Sequence, residues 1–235
     1  MSSTQVFKGY THEAVQFYTD LAQNNNKVWF EEHKEIYKNS IVQPSLAFVE
    51  EMGAMLKEIS PNLIADTRMN GAGSIFRIYR DIRFSRNKTP YKPNLGVLFW
   101  EGKRKKIEST GFYFQLHPPK LMLSAGTYVF SKPDLDTFRE AVVENELNRE
   151  INQIINNLQK NGQYKIGGHY YKKTPRQYKA YSSNHLLKYN GLYAAYETLI
   201  PQEFYSRDLL EFCFDHFKTM SPVYNWLLSF VIEAD

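Results

Sequence analysis

The segment from Arg77 to Lys92 holds a dense group of charged and hydroxyl-bearing side chains that could bind a ligand. It reads Arg77-Ile78-Tyr79-Arg80-Asp81-Ile82-Arg83-Phe84-Ser85-Arg86-Asn87-Lys88-Thr89-Pro90-Tyr91-Lys92. Six of these side chains are cationic and one is a carboxylate. A planar guanidinium matches phosphate or carboxylate through two parallel hydrogen bonds, so a surplus of such groups favours an anionic ligand.

The first half of the segment predicts a strand, because β-branched and aromatic residues alternate with charged ones from Ser74 to Phe84. Successive side chains of a strand point to opposite faces, so one face would carry a polar row: Arg77, Tyr79, Asp81 and Arg83. The other face would carry an apolar row, with Arg80 as the exception: Phe76, Ile78, Ile82 and Phe84. Two interpretations of the polar row stay open. Asp81 bridges the arginines in a structural network, or the surplus positive charge binds an anion.

The second half, Ser85 to Lys92, predicts a loop whose freedom Pro90 and Pro93 restrict. A restricted loop loses less conformational entropy when it holds donors around a ligand. Asp81 would orient an arginine, or serve as a base if the site is catalytic. The side chains expected to contact the anion are Arg77, Tyr79, Arg80, Asp81, Arg83, Lys88, Tyr91 and Lys92.

A second basic stretch, His169 to Tyr181, interleaves tyrosines with Lys and Arg. This pattern fits a solvated loop, and it also fits a surface that attracts phosphates and stacks bases. A nucleic-acid-binding module that uses this loop with the Arg77–Lys92 segment is therefore an alternative hypothesis. A structural or protein-interaction domain without a small ligand is a third.

Composition excludes several classes of protein. The 17 Tyr, 16 Phe and 3 Trp exclude disorder as the main state. The single cysteine, Cys213, excludes an internal disulfide and a cysteine-based zinc site, and no histidine pair has zinc-hydrolase spacing, so no metal is expected. Glycine fingerprints for nucleotides and nucleophile elbows are also missing. The sequence therefore provides no independent case for an enzyme and names no cofactor.

The chain ends and apolar runs favour a cytoplasmic protein without a membrane partner. Residues Met1 to Thr11 lack the apolar core of a signal peptide. The longest apolar run is Trp226 to Ile232, far short of the ~20 residues that span a bilayer. The net charge of +4 permits an anionic small molecule or a nucleic acid as partner but requires neither.

The elements that would position these side chains alternate in type along the chain. Helical spacing predicts helices before the motif, starting at Thr11, at Lys27 and near Val42, and after it, starting near Ser131 and Tyr205. Further strands are predicted over Leu95–Trp100, Gly111–His117, Leu121–Ala125 and Leu192–Tyr196. We expect an α+β fold in one domain, residues 1–235. An antiparallel sheet of about four or five strands lies in the middle of the chain, packed by N-terminal and C-terminal helices.

Two segments resemble a family of uncharacterised proteins from bacteria and fungi, labelled only as a domain of unknown function. They are Asn24-Asn25-Asn26-Lys27-Val28-Trp29-Phe30 and the motif R-I-Y-R-D-x-R-F-S-x-x-K-T-P-Y-K at Arg77–Lys92. Gly111-Phe112-Tyr113-Phe114 and Leu186-Leu187-Lys188 fit the same pattern, so the resemblance covers nearly the whole chain. The family implies one domain and a cytoplasmic setting but brings no agreed activity. It frequently has an acidic residue where Asn87 stands, and this chain departs from that.

Overall fold

Five strands form an antiparallel sheet in the middle of the chain, and helices precede and follow them. The computed structural model describes residues 6–231. The strands are β1 (Leu95–Trp100), β2 (Thr110–His117), β3 (Lys120–Thr127), β4 (Tyr164–Gly167) and β5 (Leu192–Leu199). Their order across the sheet is β1-β2-β3-β5-β4, and Tyr164 of β4 pairs with Tyr196 of β5. The predicted α+β class and its sheet are confirmed.

Helices occupy both sides of this strand region in sequence. Before it come α1 (His12–Gln23), α2 (Lys27–Glu32), α3 (Lys34–Ile36), a π-helical turn (Tyr37–Val42) and α4 (Gln43–Leu56). After β3 come α5 (Lys132–Val143), α6 (Asn145–Gln159) and α7 (Leu209–Val231), with short 3-10 turns between them at Arg176–Tyr181, His185–Lys188 and Gln202–Tyr205. Within residues 6–231, no helix combines the length and apolar character needed to cross a membrane.

Side-chain caps explain where three of the helices begin. Thr11 Oγ1 accepts a hydrogen bond from the Ala14 amide at 3.3 Å. Asn26 Oδ1 accepts one from the Trp29 amide at 3.0 Å. Ser131 Oγ accepts one from the Asp134 amide in the first turn of α5 at 3.4 Å. Each cap satisfies an amide that has no partner within its own helix, so these helix starts were readable from local sequence.

The strand predicted from Ser74 to Phe84 is wrong. This segment runs beside residues 90–97 but pairs with them only at isolated bridges, Ile75 with Val97 and Tyr79 with Tyr91. Pro90 and Pro93 on the partner segment have no N–H to donate, so a continuous ladder cannot form. The predicted apolar row fails too, because Phe84 is 96% exposed.

Backbone contacts divide the chain into two compact units. The first takes residues up to Phe99, with Tyr113–Met122 and Glu197–Asp215. Its core is aromatic: the ring of Tyr10 stacks on Phe204 at 5.0 Å and also faces Phe114 at 6.1 Å. Phe48 packs on Phe114 at 5.0 Å.

The second unit takes Trp100–Phe112, Leu123–Tyr196 and residues from His216 onward. Its core is also aromatic, with Phe112 stacked on Tyr224 of α7 at 4.4 Å. The proposal of one domain over residues 1–235 stays a prediction, and residues 1–5 and 232–235 lie outside the described part.

An ion pair between the buried Asp134 and the half-buried Arg104 lies at the start of α5 in the second unit. The carboxylate of Asp134 is buried, forms an ion pair with Arg104 and accepts a hydrogen bond from Ser131 Oγ at 2.6 Å. A buried charge is tolerated only when it is paired and hydrogen-bonded. The Asp134 carboxylate therefore serves two purposes, since it neutralises Arg104 and orients the cap.

We expect Asp134→Ala to lower the free energy of unfolding by about 1–3 kcal/mol, because the change removes the carboxylate that pairs with the half-buried Arg104 and accepts from Ser131 Oγ. Asp136→Ala is the matched control: Asp136 lies in the same helix but is exposed, so a change within about 0.5 kcal/mol is expected. Urea unfolding followed by circular dichroism measures both. Equal effects of the two substitutions would show that the ion pair contributes nothing to stability.

Candidate functional site

The sequence-predicted site residues lie on an irregular hairpin of the first unit, here called the arginine hairpin (residues 74–92). Two backbone hydrogen bonds join its two arms. The Arg80 amide donates to the Pro90 carbonyl at 2.9 Å, and the Lys92 amide donates to the Ile78 carbonyl at 2.8 Å. The loop between the arms carries Asp81, Arg83 and Lys88. The positions of its cations are therefore decided by side-chain hydrogen bonds rather than by strand pleating.

Asp81 and Arg83 form an exposed, two-point ion pair. Arg83 Nε donates to Asp81 Oδ1 at 3.0 Å, and Arg83 Nη2 donates to Asp81 Oδ2 at 2.7 Å. The Arg83 amide adds a third hydrogen bond at 3.2 Å. These bonds, helped by the nearby charge of Arg77, lower the pKa of Asp81 to about 2. Arg83 is therefore part of a structural ion pair with Asp81, as the first interpretation of the polar row predicted.

Arg80 and Lys88 are held by uncharged oxygen atoms instead. The Arg80 guanidinium donates to the carbonyl of Thr89 at 3.3 Å and to the hydroxyl of the same residue. Lys88 Nζ donates to the Ile82 carbonyl at 2.9 Å. Asn87 Oδ1 accepts from the Thr89 amide at 2.9 Å and so shapes the loop. These contacts orient two cations without neutralising them.

Lys92 is held against the backbone of Arg77. Lys92 Nζ donates to the Arg77 carbonyl at 3.0 Å and lies 5.6 Å from the centre of the Phe76 ring. Partial burial lowers the pKa of Lys92, and the neighbouring Arg77 charge lowers it further. Within the described residues, the exposed Arg77 guanidinium makes no ion pair. It lies over Gly71, where a Cβ would crowd its Nε and Cδ atoms, and Gly71 has a φ of +92° that favours glycine.

Asn25, which sequence reasoning did not select, connects the arginine hairpin to the first helices. Asn25 Nδ2 donates to the Tyr91 carbonyl, and Asn25 Oδ1 accepts from the Tyr91 amide, both at 3.0 Å. The buried Tyr91 ring stacks on Phe30 of α2 at 4.2 Å. The triple-asparagine turn was the available signal, but its sequence does not indicate a partner 66 residues away.

Tyr79 and Tyr91 lie next to each other at the base of the hairpin, with charges from the helices nearby. Their rings are 5.5 Å apart, and the Tyr79 side chain is exposed. Burial raises the pKa of Tyr91, and the Tyr79 phenol and the Glu31 carboxylate add to the rise while Lys34 opposes it. Lys34 in turn donates to Glu31 at 2.9 Å, and this bond raises the pKa of Lys34.

The structure thus brings the predicted residues onto one hairpin but gives them different partners. One arginine is neutralised by a carboxylate, and two cations are oriented by neutral oxygens. Arg77 and Arg86 have no ion-pair partner among residues 6–231. In the same described range, no group of three or more His, Cys, Asp or Glu side chains could hold a metal ion. The arrangement is suited to holding an anion through charge-assisted hydrogen bonds.

Fold and site together define an α+β protein that presents a cationic hairpin braced by an aromatic and asparagine contact. Residues 13–226 match the family model described as Conserved hypothetical protein (DUF2461). The chain belongs to this family, which confirms the resemblance drawn from the sequence. Among curated proteins, none matches the chain.

We expect Asn25→Ala to lower the free energy of unfolding by about 1–3 kcal/mol, because the amide and carbonyl of the buried Tyr91 would both lose their partner. Asn24→Ala is the control: its side chain only donates to the Asp20 carbonyl at an exposed position. Chemical denaturation measures the difference. Stability losses of the same size in both variants would contradict a bracing role for Asn25.

The pKa of Asp81 tests the ion pair directly. In the unaltered protein, a carboxyl carbon NMR titration should report a pKa of about 2. In Arg83→Gln the value should rise toward the usual ~3.9, because the guanidinium hydrogen bonds are lost. Since folding depresses this pKa, the stability it contributes is present above the unfolded value and is lost as pH falls toward 2. An unchanged pKa in the variant would show that the pair does not persist in solution.

Proposed function

We propose that the arginine hairpin binds a phosphorylated or other anionic small molecule. The observation that carries the proposal is the neighbourhood of Arg77 and Lys92: Lys92 Nζ is held at the Arg77 carbonyl, and neither side chain forms an ion pair within residues 6–231. Like charges held close repel one another, and an anion placed between them relieves the repulsion. The Arg77 guanidinium presents donors that a phosphate or sulfate accepts in a two-point geometry.

The remaining predicted residues support this role in different ways. Arg80 and Lys88 are bound by neutral oxygen atoms, so their charges are not offset by a carboxylate and can attract the anion. Asp81 opposes anion binding by its charge while it holds Arg83 in place. Tyr79 and Tyr91 form the aromatic base of the hairpin. We assign ligand contact to Arg77 and Lys92 first, with Arg80 and Lys88 as long-range attraction.

The alternative of a protein-interaction domain predicts an uncovered apolar patch on the final helix. From Leu209 to Phe230, the range whose side chains are described, no large hydrophobic side chain of α7 is exposed. That observation does not favour a docking face on α7. We therefore favour the anion-binding proposal over the protein-interaction alternative.

We expect Arg77→Ala to weaken binding of inorganic phosphate or sulfate by at least about tenfold, the loss of one charge-assisted contact. Asp81→Asn should strengthen binding, because it removes the nearby negative charge while keeping the side-chain shape. Arg149→Ala is the control, since Arg149 is exposed on α6 and outside the hairpin. Isothermal titration calorimetry at low salt measures all four proteins.

Circular dichroism separates loss of binding from loss of fold. A folded Arg77→Ala protein with reduced affinity supports the proposal. An unfolded Arg77→Ala protein, or one that binds phosphate as the unaltered protein does, overturns it. Weaker binding in Asp81→Asn would also count against it, because the carboxylate would then be assisting the ligand.

A further inference from the structure

The stretch from residue 151 to residue 196 contains no Asp or Glu, an unusual property that the arginine hairpin does not explain. Its cations number seven: Lys160, Lys165, Lys172, Lys173, Arg176, Lys179 and Lys188. Eight of the 17 tyrosines of the chain also lie in it. Seven positive charges exceed the +4 of the whole chain, so the remainder is net negative. Positive charge is therefore concentrated in this part of the second unit.

Three tyrosines from two separate segments are exposed on this unit. Tyr128, Tyr170 and Tyr171 are each between 44% and 57% exposed. We call Tyr128, Arg139, His169, Tyr170, Tyr171 and Lys188 the tyrosine surface. The ring of Tyr128 lies 5.0 Å from that of His169.

Cations lie against the tyrosine rings of this surface. Lys188 Nζ is 5.8 Å from the centre of the Tyr170 ring. The Arg139 guanidinium carbon is 5.8 Å from the centre of the Tyr171 ring. Within residues 6–231, no carboxylate forms an ion pair with either cation. These positive charges are therefore available to a ligand that approaches the rings.

Close backbone contacts join the segments around residues 128, 168–171 and 188–191, so the surface is preorganised. The Tyr171 amide donates to the Lys188 carbonyl at 2.7 Å, and the Asn190 amide donates to the His169 carbonyl, also at 2.7 Å. Gly168 and Gly191 permit the closest approach, because a Cβ on either would collide with backbone of the neighbouring segment. Fixed rings cost a ligand little ordering entropy.

Arg139 carries an independent sign of a missing partner. Its Nε is buried, and no hydrogen-bond acceptor reaches it among the described residues. Buried donors in native structures are almost always satisfied, so each exception calls for an explanation. The Arg139 side chain as a whole is half-buried, so a phosphate beside Tyr171 would pair with its guanidinium charge.

We propose that the tyrosine surface, together with the exposed cations Lys172, Lys173, Arg176 and Lys179, binds single-stranded nucleic acid. Exposed ring faces stack on bases, and unneutralised Lys and Arg attract the phosphates. A duplex conceals its base faces, so the rings would add nothing to duplex binding. The proposal does not depend on anion binding by the arginine hairpin, which lies in the first unit.

The test uses the full chain and fluorescence anisotropy with fluorescein-labelled oligo(dT) and oligo(U) of about 15 nucleotides. A duplex of equal length and vesicles containing phosphatidylserine are the comparison probes. The unaltered protein should bind the single strands more tightly than the duplex. Its affinity should fall steeply between about 50 and 200 mM salt, since each phosphate contact releases counterions.

Paired variants separate stacking from charge. The double change Tyr170→Ala with Tyr171→Ala should weaken binding by about tenfold or more, whereas Tyr170→Phe with Tyr171→Phe should retain it because the ring faces remain. Lys172→Glu with Lys173→Glu should also weaken binding and reduce the salt dependence. Lys8→Glu with Lys57→Glu is the charge-matched control, because both lysines are exposed in the first unit.

The outcomes are distinguishable from those of the anion-binding proposal. Arg77→Ala should leave oligonucleotide binding unchanged. The inference is overturned if no oligonucleotide binds at the lowest salt, if only the vesicles bind, or if duplex and single strand bind equally. It is also overturned if Arg77→Ala abolishes binding while the tyrosine variants retain it. If the alanine pair fails to fold, Lys172→Glu with Lys173→Glu in the exposed loop decides, because it must then weaken binding relative to its control.

Discussion

The two hydrogen bonds between Asn25 and the backbone of Tyr91 are the constraint on which the arginine hairpin depends. Pro90 and Pro93 remove amides that a strand would need, so the segment cannot be held by a continuous ladder. Asn25 replaces that ladder at one point by donating and accepting at the same residue. Phe30 then stacks on the Tyr91 ring and adds apolar contact beneath the hairpin. The cations of the hairpin are consequently displayed on irregular backbone whose position is set from a distant part of the chain.

Neutral partners explain how so much positive charge is kept on one hairpin. Arg80 and Lys88 donate mainly to carbonyl and hydroxyl oxygens, which fix geometry but leave the charge intact. Among the cations of the arginine hairpin, only Arg83 forms an ion pair, with Asp81, in the described part of the chain. A structural network built for stability would be expected to pair each cation with a carboxylate, since unpaired like charges repel. A hairpin on which most cations have no carboxylate partner is better suited to attracting an anion from solvent.

Local signals in the sequence were reliable where the structure is decided locally. The caps at Thr11 and Asn26 were readable because a cap bonds an amide two or three residues away. Strand β1 was predicted with the bounds that the structure has, because its whole length is apolar and buried. The strand over Ser74–Phe84 was predicted from alternating residue types and is wrong, because the amides missing at Pro90 and Pro93 belong to the opposite arm. Alternation of residue types is a property of one segment, whereas a ladder of backbone hydrogen bonds requires donors and acceptors on two segments.

By itself, the sequence determined the α+β class, the identity of the cationic motif and the family to which the chain belongs. Those properties follow from residue type and spacing, which a linear chain displays in full. Only the tertiary structure decided that Asp81 takes Arg83 and leaves Arg77 beside Lys92, and that Asn25 braces Tyr91. Choice of partner is set by distances of a few ångströms between residues far apart in sequence. Such distances arise from packing, and composition or periodicity carries no record of them.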